Sequence, residues 1–189
     1  MALRQAAKLC PIGGAFFAKV VGGVTGFPVI YMGQGFSPKG DKERFVLPAD
    51  IRKIVAEASD NINEMLVAKH EEWPCLFACG TSYKNQLAEE IRVKHAADVA
   101  AGRPSTRARD ALVFGNLTRV AFDNSGRFIL PAHMRAQATI TDGLYIHGTM
   151  DYFTLWSPEV LMAMTGDEWI GPKASCESYL AAAGGRARK

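Results

Sequence analysis

One stretch of this 189-residue chain occurs twice: residues 44–52 read RFVLPADIR and residues 127–135 read RFILPAHMR, 83 positions apart. The first Arg, Phe, Leu, Pro, Ala and final Arg are identical, and two of the other three positions exchange one apolar residue for another. Such a repeat decides architecture before local propensity does, because two homologous halves have equivalent surfaces to bury. The chain therefore reads as a duplicated unit with a connector between its copies.

Each copy has the same local grammar. A polar turn precedes the Arg: Gly40, Asp41, Lys42 and Glu43 in the first copy, Asp123, Asn124, Ser125 and Gly126 in the second. Three β-prone apolar residues follow. A Pro then ends the strand and suits the first turn of a short helix, having no N–H to give to a ladder. Leu117–Phe122 is also strand-like, so the spacing predicts a hairpin closed by the DNSG turn, with Arg127–Leu130 as its second strand.

Further along, each half carries two more strand-like runs. These are Met65–Ala68 and Cys75–Ala78 around Lys69–Glu72, and Leu144–Ile146 and Tyr152–Trp156 around His147–Asp151. His70 and His147 thus fall in corresponding turns, which suggests turn chemistry for them. A unit of roughly 50 residues is too small to bury a good core alone. Pairing the halves solves this, either by interlocking their hairpins or by packing face to face.

Between the halves, Thr81–Ala101 has Leu87, Ile91 and Val93 at helical spacing and predicts an amphipathic helix, broken by Gly102 and Pro104. A second helical stretch has Ser105 or Thr106 as its N-cap. Pro158 and Glu159 open a short helix through Met164, and the terminal AAAGGRARK reads as a disordered basic tail.

Composition excludes more than it identifies. With 48% hydrophobic and 22% charged residues, the chain is ordinary globular material. No uncharged apolar run is long enough to span a bilayer, so no membrane partner is expected. Four cysteines (Cys10, Cys75, Cys79, Cys176) contain no C-x-x-C pair and read as buried free thiols in a reduced, cytoplasmic protein. No P-loop, H-E-x-x-H or G-x-S-x-G occurs, and His70, His95, His133 and His147 form no ligand spacing, so no catalytic residue, metal or cofactor is expected. The net charge of +3 is small but uneven: residues 40–100 hold eight basic against eleven acidic side chains, and residues 101–150 hold six against three, all six being Arg.

FDNSGRFILPAHMR, followed some twenty residues later by YFTLWSPE, resembles the second half of the MraZ family, bacterial DNA-binding regulators made of two SpoVT-AbrB domains. The family motif is D-x-x-G-R, an apolar triplet and Pro, matched here by Asp123, Gly126, Arg127 and Pro131. The first copy matches at Lys42, Arg44 and Pro48, but Gly40 replaces the expected Asp and Glu43 the expected Gly. Glu43 is expected to put a carboxylate beside Arg44 and to deprive the turn of a residue suited to positive φ.

The resemblance, which covers roughly residues 30–165, implies an α+β fold of two tandem AbrB-like, β-rich repeats of the swapped-hairpin or double-psi-like barrel kind, in a pseudo-two-fold arrangement with connecting helices. It divides the chain into a non-family extension (1–29), a first repeat (30–80), a helical basic connector (81–113), a second repeat (114–160) and a C-terminal helix and tail (161–189) whose end is disordered. Residues 1–29 read as an extension or as an overlong start assignment.

It implies a regulator, a repressor by expectation, of the division and cell-wall gene cluster. The protein is expected to be nucleoid-associated and to read G-rich direct repeats of double-stranded DNA, its own promoter included, as a ring-shaped homo-oligomer. Arg127 and Arg44 are the expected base readers, because an Arg on a rigid turn presents a planar fork to guanine O6 and N7. Lys42 is expected to meet phosphate, with Ser125 and Gly126 at the same surface. Arg103, Arg107 and Arg109 read either as a phosphate-binding strip or as a solvated connector. Arg52 and Arg135, repeated on the helix after each Pro, read as structural. The rival reading is an oligomeric interaction protein that has lost sequence-specific DNA binding through its degenerate first motif.

Overall fold

The two motif copies pair with each other. In a computed structural model, which describes residues 29–104 and 107–186, strand β2 (Arg44–Val46) runs antiparallel to a later strand, Arg127–Ile129, to form a two-stranded ribbon. Phe45 lies opposite Phe128, its own counterpart in the repeat, with Arg44 opposite Ile129 and Val46 opposite Arg127. The two rings are buried, with centroids 6.0 Å apart. Each Pro then ends its strand and opens a helix at nearly the same backbone angles: Pro48 (φ −53°, ψ 143°) before α1 (Ala49–Glu57), and Pro131 (φ −53°, ψ 140°) before the helix Ala132–Gln137.

The remaining strands form one antiparallel sheet of six. In chain order they are β1 (Gln34–Pro38), β3 (Glu64–Lys69), β4 (Leu76–Cys79), β5 (Thr118–Ala121), β7 (Gly143–Gly148) and β8 (Phe153–Trp156), with β6 the ribbon strand Arg127–Ile129. They lie in the order β1-β7-β8-β4-β3-β5. Matching β1 with β5, β3 with β7 and β4 with β8 and exchanging each for its match returns the same order read from the other end. Both outer strands cross to the opposite half, β1 onto β7 and β5 onto β3. The centre is the β4–β8 pair, where Phe77 faces Thr154. Its residues Leu76–Ala78 and Phe153–Leu155 are buried on both faces, as their near-continuous apolar run requires.

The helices are α1, α2 (Tyr83–Ala100), α3 (Arg107–Gly115), α4 (Ala132–Gln137), α5 (Pro158–Ala163) and α6 (Ile170–Arg186). One core fills the space between sheet, ribbon, α1 and α4. It includes Phe45, Ile51, Val55, Met65, Phe128, Leu130 and Met134. A second cluster, formed by Cys75, Tyr145, Trp156, Leu161, Trp169 and Cys176, seats the C-terminal helices against the sheet. Among the described residues no helix is long and apolar enough to cross a membrane.

Seven sequence expectations need correction or fall outside the described residues. The DNSG turn forms, but no hairpin ladder follows it: β5 pairs with β3, β6 pairs with β2, and the two arms share just the isolated bridge Phe122–Phe128 and the Asp123 N–H bond to the Arg127 carbonyl at 2.9 Å. The local turn matches and the strand partners differ, because each arm pairs with a strand of the first half, β5 with β3 and β6 with β2. The connector helix exists as α2 but has no apolar buried face, since Leu87 and Ile91 are only half-buried, Val93 and Val99 are exposed, and Asp98 is its one buried residue. Of the terminal stretch AAAGGRARK, residues up to Arg186 belong to helix α6, which carries Cys176 and Leu180 into the second cluster, and residues 187–189 lie outside the described residues. His147 lies within β7, not in a turn. The Ser105 or Thr106 cap, Cys10 and the extension up to residue 28 lie outside the described residues.

His70 does perform turn chemistry. Its Nδ1 accepts the backbone N–H groups of Glu72 (3.2 Å) and Trp73 (3.1 Å), so the ring proton sits on Nε2, 3.1 Å from the Tyr152 hydroxyl. Burial holds its pKa below the ordinary histidine value, which keeps this tautomer neutral. Cys75, Cys79 and Cys176 are buried free thiols, with Cys79 pushed up to about 12 by burial and Cys176, also chiefly by burial, to about 11.

Candidate nucleic-acid interface

The register of the ribbon decides which side chains face outward. Phe45 and Phe128 point into the core, so their neighbours Arg44, Val46, Arg127 and Ile129 share the opposite, exposed face. Because Arg44 lies opposite Ile129 and Arg127 opposite Val46, the two motif arginines sit at diagonal corners of one small surface. An open recess of about 340 Å³ adjoins it, lined by Arg44, Arg119, Asp123, Arg127, Ile129 and Pro131 among others.

Asp123 braces the second turn. Its Oδ1 accepts the backbone N–H of Ser125 (2.8 Å) and of Arg127 (3.0 Å), and the Gly126 N–H closes the turn onto the Asp123 carbonyl at 2.8 Å. The Arg127 N–H chiefly, then the Ser125 N–H and the charges of Arg127 and Arg44, hold the Asp123 carboxyl below the usual carboxylate range. Its Oδ2 lies 4.0 Å from the Arg127 guanidinium, more than half of whose side chain stays in solvent.

Gly126 has φ +81°, and a Cβ there would lie 3.0 Å from Arg52 Cδ and 3.1 Å from the Leu47 carbonyl oxygen. Glycine supplies both the left-handed backbone and the close approach. The residue is buried, so it shapes the turn and offers no surface of its own. Ser125 and Lys42 are exposed on their turns.

Glu43 departs from its expectation in two ways. It adopts φ 59°, so the left-handed position is kept without glycine, and Lys42 beside it is also left-handed (φ 57°). Its carboxylate turns away from Arg44 to meet Arg135 in a two-pronged bond, Nη1–Oε1 at 2.8 Å and Nη2–Oε2 at 2.6 Å. That bond, chiefly, holds the Glu43 pKa down. The paired helix arginines therefore do corresponding work. Arg135 on α4 braces the first-half turn, and Arg52 on α1 covers the second-half turn.

The structure brings Arg44 and Arg127 together with a cation that sequence reading missed, Arg119 on β5. The signal was present. In the run Leu117–Phe122 the inward residues are Val120 and Phe122, so period-two alternation places Arg119 outward. The structure does not bring Arg103 to this face: its Nε donates to Asp98 Oδ1 at 2.8 Å at the far end of α2. Arg107 and Arg109 begin α3, and their side chains lie outside the described residues. Among the described residues no group of His, Cys, Asp and Glu comes together as a metal site.

Fold and site together define an α+β protein with a mainly antiparallel sheet, bearing one arginine-faced ribbon built from both halves of the chain. No family model matches it. Its similarity is to proteins called transcriptional regulator MraZ: 29% identity to that of Rickettsia bellii over 121 residues (62% of this chain, 74% of the relative), 27% to that of Caulobacter vibrioides over 122 residues (65% and 73%), and 26% to that of a Roseiflexus species over 139 residues (71% and 89%). The resemblance to the MraZ family seen in the two motif copies thus extends over most of the chain.

Proposed function

We propose that this protein is a transcriptional regulator that binds double-stranded DNA sequence-specifically through the ribbon face, with Arg127 and Arg44 as guanine readers. The observation that carries the reading is the ladder itself: Arg44 opposite Ile129 and Arg127 opposite Val46 put two exposed guanidinium groups on one rigid two-stranded element. A β-ribbon fits the major groove, and a bidentate Arg–guanine pair is worth about 1–3 kcal/mol of discrimination. Lys42 and Ser125 flank that face from the turns and suit phosphate, and Gly126 acts by shaping its turn.

The chain is read as two AbrB-like repeats, residues 30–80 and 114–160, whose strands interlock about a pseudo-two-fold axis through the Phe45–Phe128 and Phe77–Thr154 pairs. The palindromic strand order supports this. Residues 81–113 connect the repeats and 161–186 add the helices of the second cluster. As the family resemblance of the two motif copies implies, the target is taken as the G-rich direct repeats of a division and cell-wall promoter, bound in the nucleoid by a ring of subunits acting as a repressor. A ring presents one ribbon per repeat, so weak contacts multiply through effective concentration.

The rival is an oligomeric interaction protein that has lost sequence-specific DNA binding through its degenerate first motif; the bond of Glu43 to Arg135 favours the DNA-binding reading over it. Titration of the purified protein against a G-rich direct-repeat duplex and a scrambled duplex, each at two salt concentrations, separates the readings. Tighter binding to the repeat duplex at both salts is expected; equal binding to both overturns sequence specificity.

A further inference from the structure

We infer that Arg119 is a third DNA contact, a phosphate anchor set beside the ribbon; the inference rests on the DNA-binding reading above. Arg119 lies on β5, an edge strand of the six-stranded sheet, and lines the same recess as Arg44 and Arg127. Its register is fixed by β3: Arg119 stands opposite Leu66 and Ala121 opposite Glu64, so Glu64 is its diagonal cross-strand neighbour. Arg119 Nη1 donates to Glu64 Oε2 at 3.3 Å.

That bond tethers the guanidinium without consuming it. The Arg119 side chain is 63% exposed, that of Glu64 only 25%. A guanidinium has five N–H donors, and one long bond to Glu64 leaves others for a phosphate oxygen. A tether to the sheet edge also sets the class of contact. Base reading needs a fork projecting from the ribbon into the groove, which Arg44 and Arg127 supply, whereas a cation held to one side of the ribbon meets the duplex backbone.

The position has no counterpart cation in the first half, because 83 residues earlier the chain carries Phe36. Arg119 is one of the six arginines that make residues 101–150 the basic part of the chain. It also differs in role from Arg103, which is engaged with Asp98 on another part of the surface.

The test compares the parent with Arg119→Ala, Arg119→Lys and Arg127→Ala on the repeat and scrambled duplexes across a salt series, with each variant's fold checked by its thermal transition. Arg119→Ala is expected to weaken binding to both duplexes by the same severalfold factor. It should also lower the slope of log affinity against log salt by about 0.9 per engaged site, the signature of one lost phosphate contact. Arg119→Lys restores both, since a point charge suffices for phosphate, and Arg127→Ala instead reduces the preference for the repeat duplex. Parental affinity and slope in Arg119→Ala would overturn the inference while leaving the DNA-binding reading intact, as would loss confined to the repeat duplex. A parent that binds neither duplex would overturn both.

Discussion

The two motif turns reach similar ends by different chemistry. In the second, Asp123 accepts two backbone N–H groups and Gly126 takes the left-handed position at little cost, so the turn is stabilised within a few residues of itself. In the first, Gly40 supplies no acceptor side chain, and Lys42 and Glu43 both occupy left-handed backbone that side-chain-bearing residues disfavour. Its brace comes from 92 residues away, through the Arg135 bond to Glu43. Where the first turn lacks the local Asp and Gly of the second, a long-range bond ties the halves. Each turn is closed locally by an equivalent backbone bond, Gly40 N–H to the Arg44 carbonyl at 2.8 Å and Asp123 N–H to the Arg127 carbonyl at 2.9 Å, and they differ in the side-chain brace, local in the second and supplied by the second half in the first.

The sharpest way to break this comparison is at the element the copies share. Phe45→Ala and Phe128→Ala each remove a buried ring at the self-paired centre of the ribbon, and each is expected to cost about 3–5 kcal/mol in denaturant unfolding. Similar costs are expected, because the two rings occupy equivalent sites. A cost for one several times that for the other would show that the halves do not share the ribbon equally.

Gly126→Ala comes next. It forces a Cβ into left-handed backbone and against Arg52 and the Leu47 carbonyl, for about 1–2 kcal/mol from the backbone alone. Unchanged stability would mean that the second turn does not depend on its glycine.

A smaller effect separates the braces. Arg135→Ala is expected to lower Tm more than Arg52→Ala, since only Arg135 holds a carboxylate. The pH dependence sharpens this. Both Glu43 and Asp123 have folded-state pKa values below their ordinary ones, so each contributes stability present above its unfolded pKa and lost as pH falls through the folded one. Tm should therefore drop in acid, beginning below the ordinary carboxylate range near about 4. In Arg135→Ala the Glu43 share of that drop should vanish while the Asp123 share remains. An acid profile identical to the parent's would show that the bridge does not stabilise the first turn.

Much of this was legible in the sequence, for identifiable reasons. The duplicated nine residues gave the repeat, the Pro after each strand gave the helix starts at Ala49 and Ala132, and the apolar runs gave both the β3–β4 and β7–β8 hairpins. Partner choice was not legible. Nothing local to the DNSG turn says that its two arms will leave each other for β3 and β2, because strand exchange between halves is decided by the shared core. The Glu43–Arg135 bond was hidden for the same reason, being a tertiary contact between segments that look unrelated along the chain. Alternation along β5 places Arg119 outward, but its place beside Arg44 and Arg127 is set by the tertiary fold and is not written in the local sequence. The extent of the terminal helix, through Arg186, was not legible because its anchors, Cys176 and Leu180, are few among small residues that otherwise resemble a tail.

The central claim is that Arg44 and Arg127, brought to one face by self-pairing of the repeat, read DNA together. The most direct test is the affinity of Arg44→Ala, Arg127→Ala and the double variant for the G-rich repeat duplex, at fixed salt and with folding verified. Each single change is predicted to weaken specific binding by about 1–3 kcal/mol per engaged site, with Arg127 at the larger end, and the double variant is predicted to bind repeat and scrambled duplexes alike. Parental affinity and preference in both single variants would contradict the account.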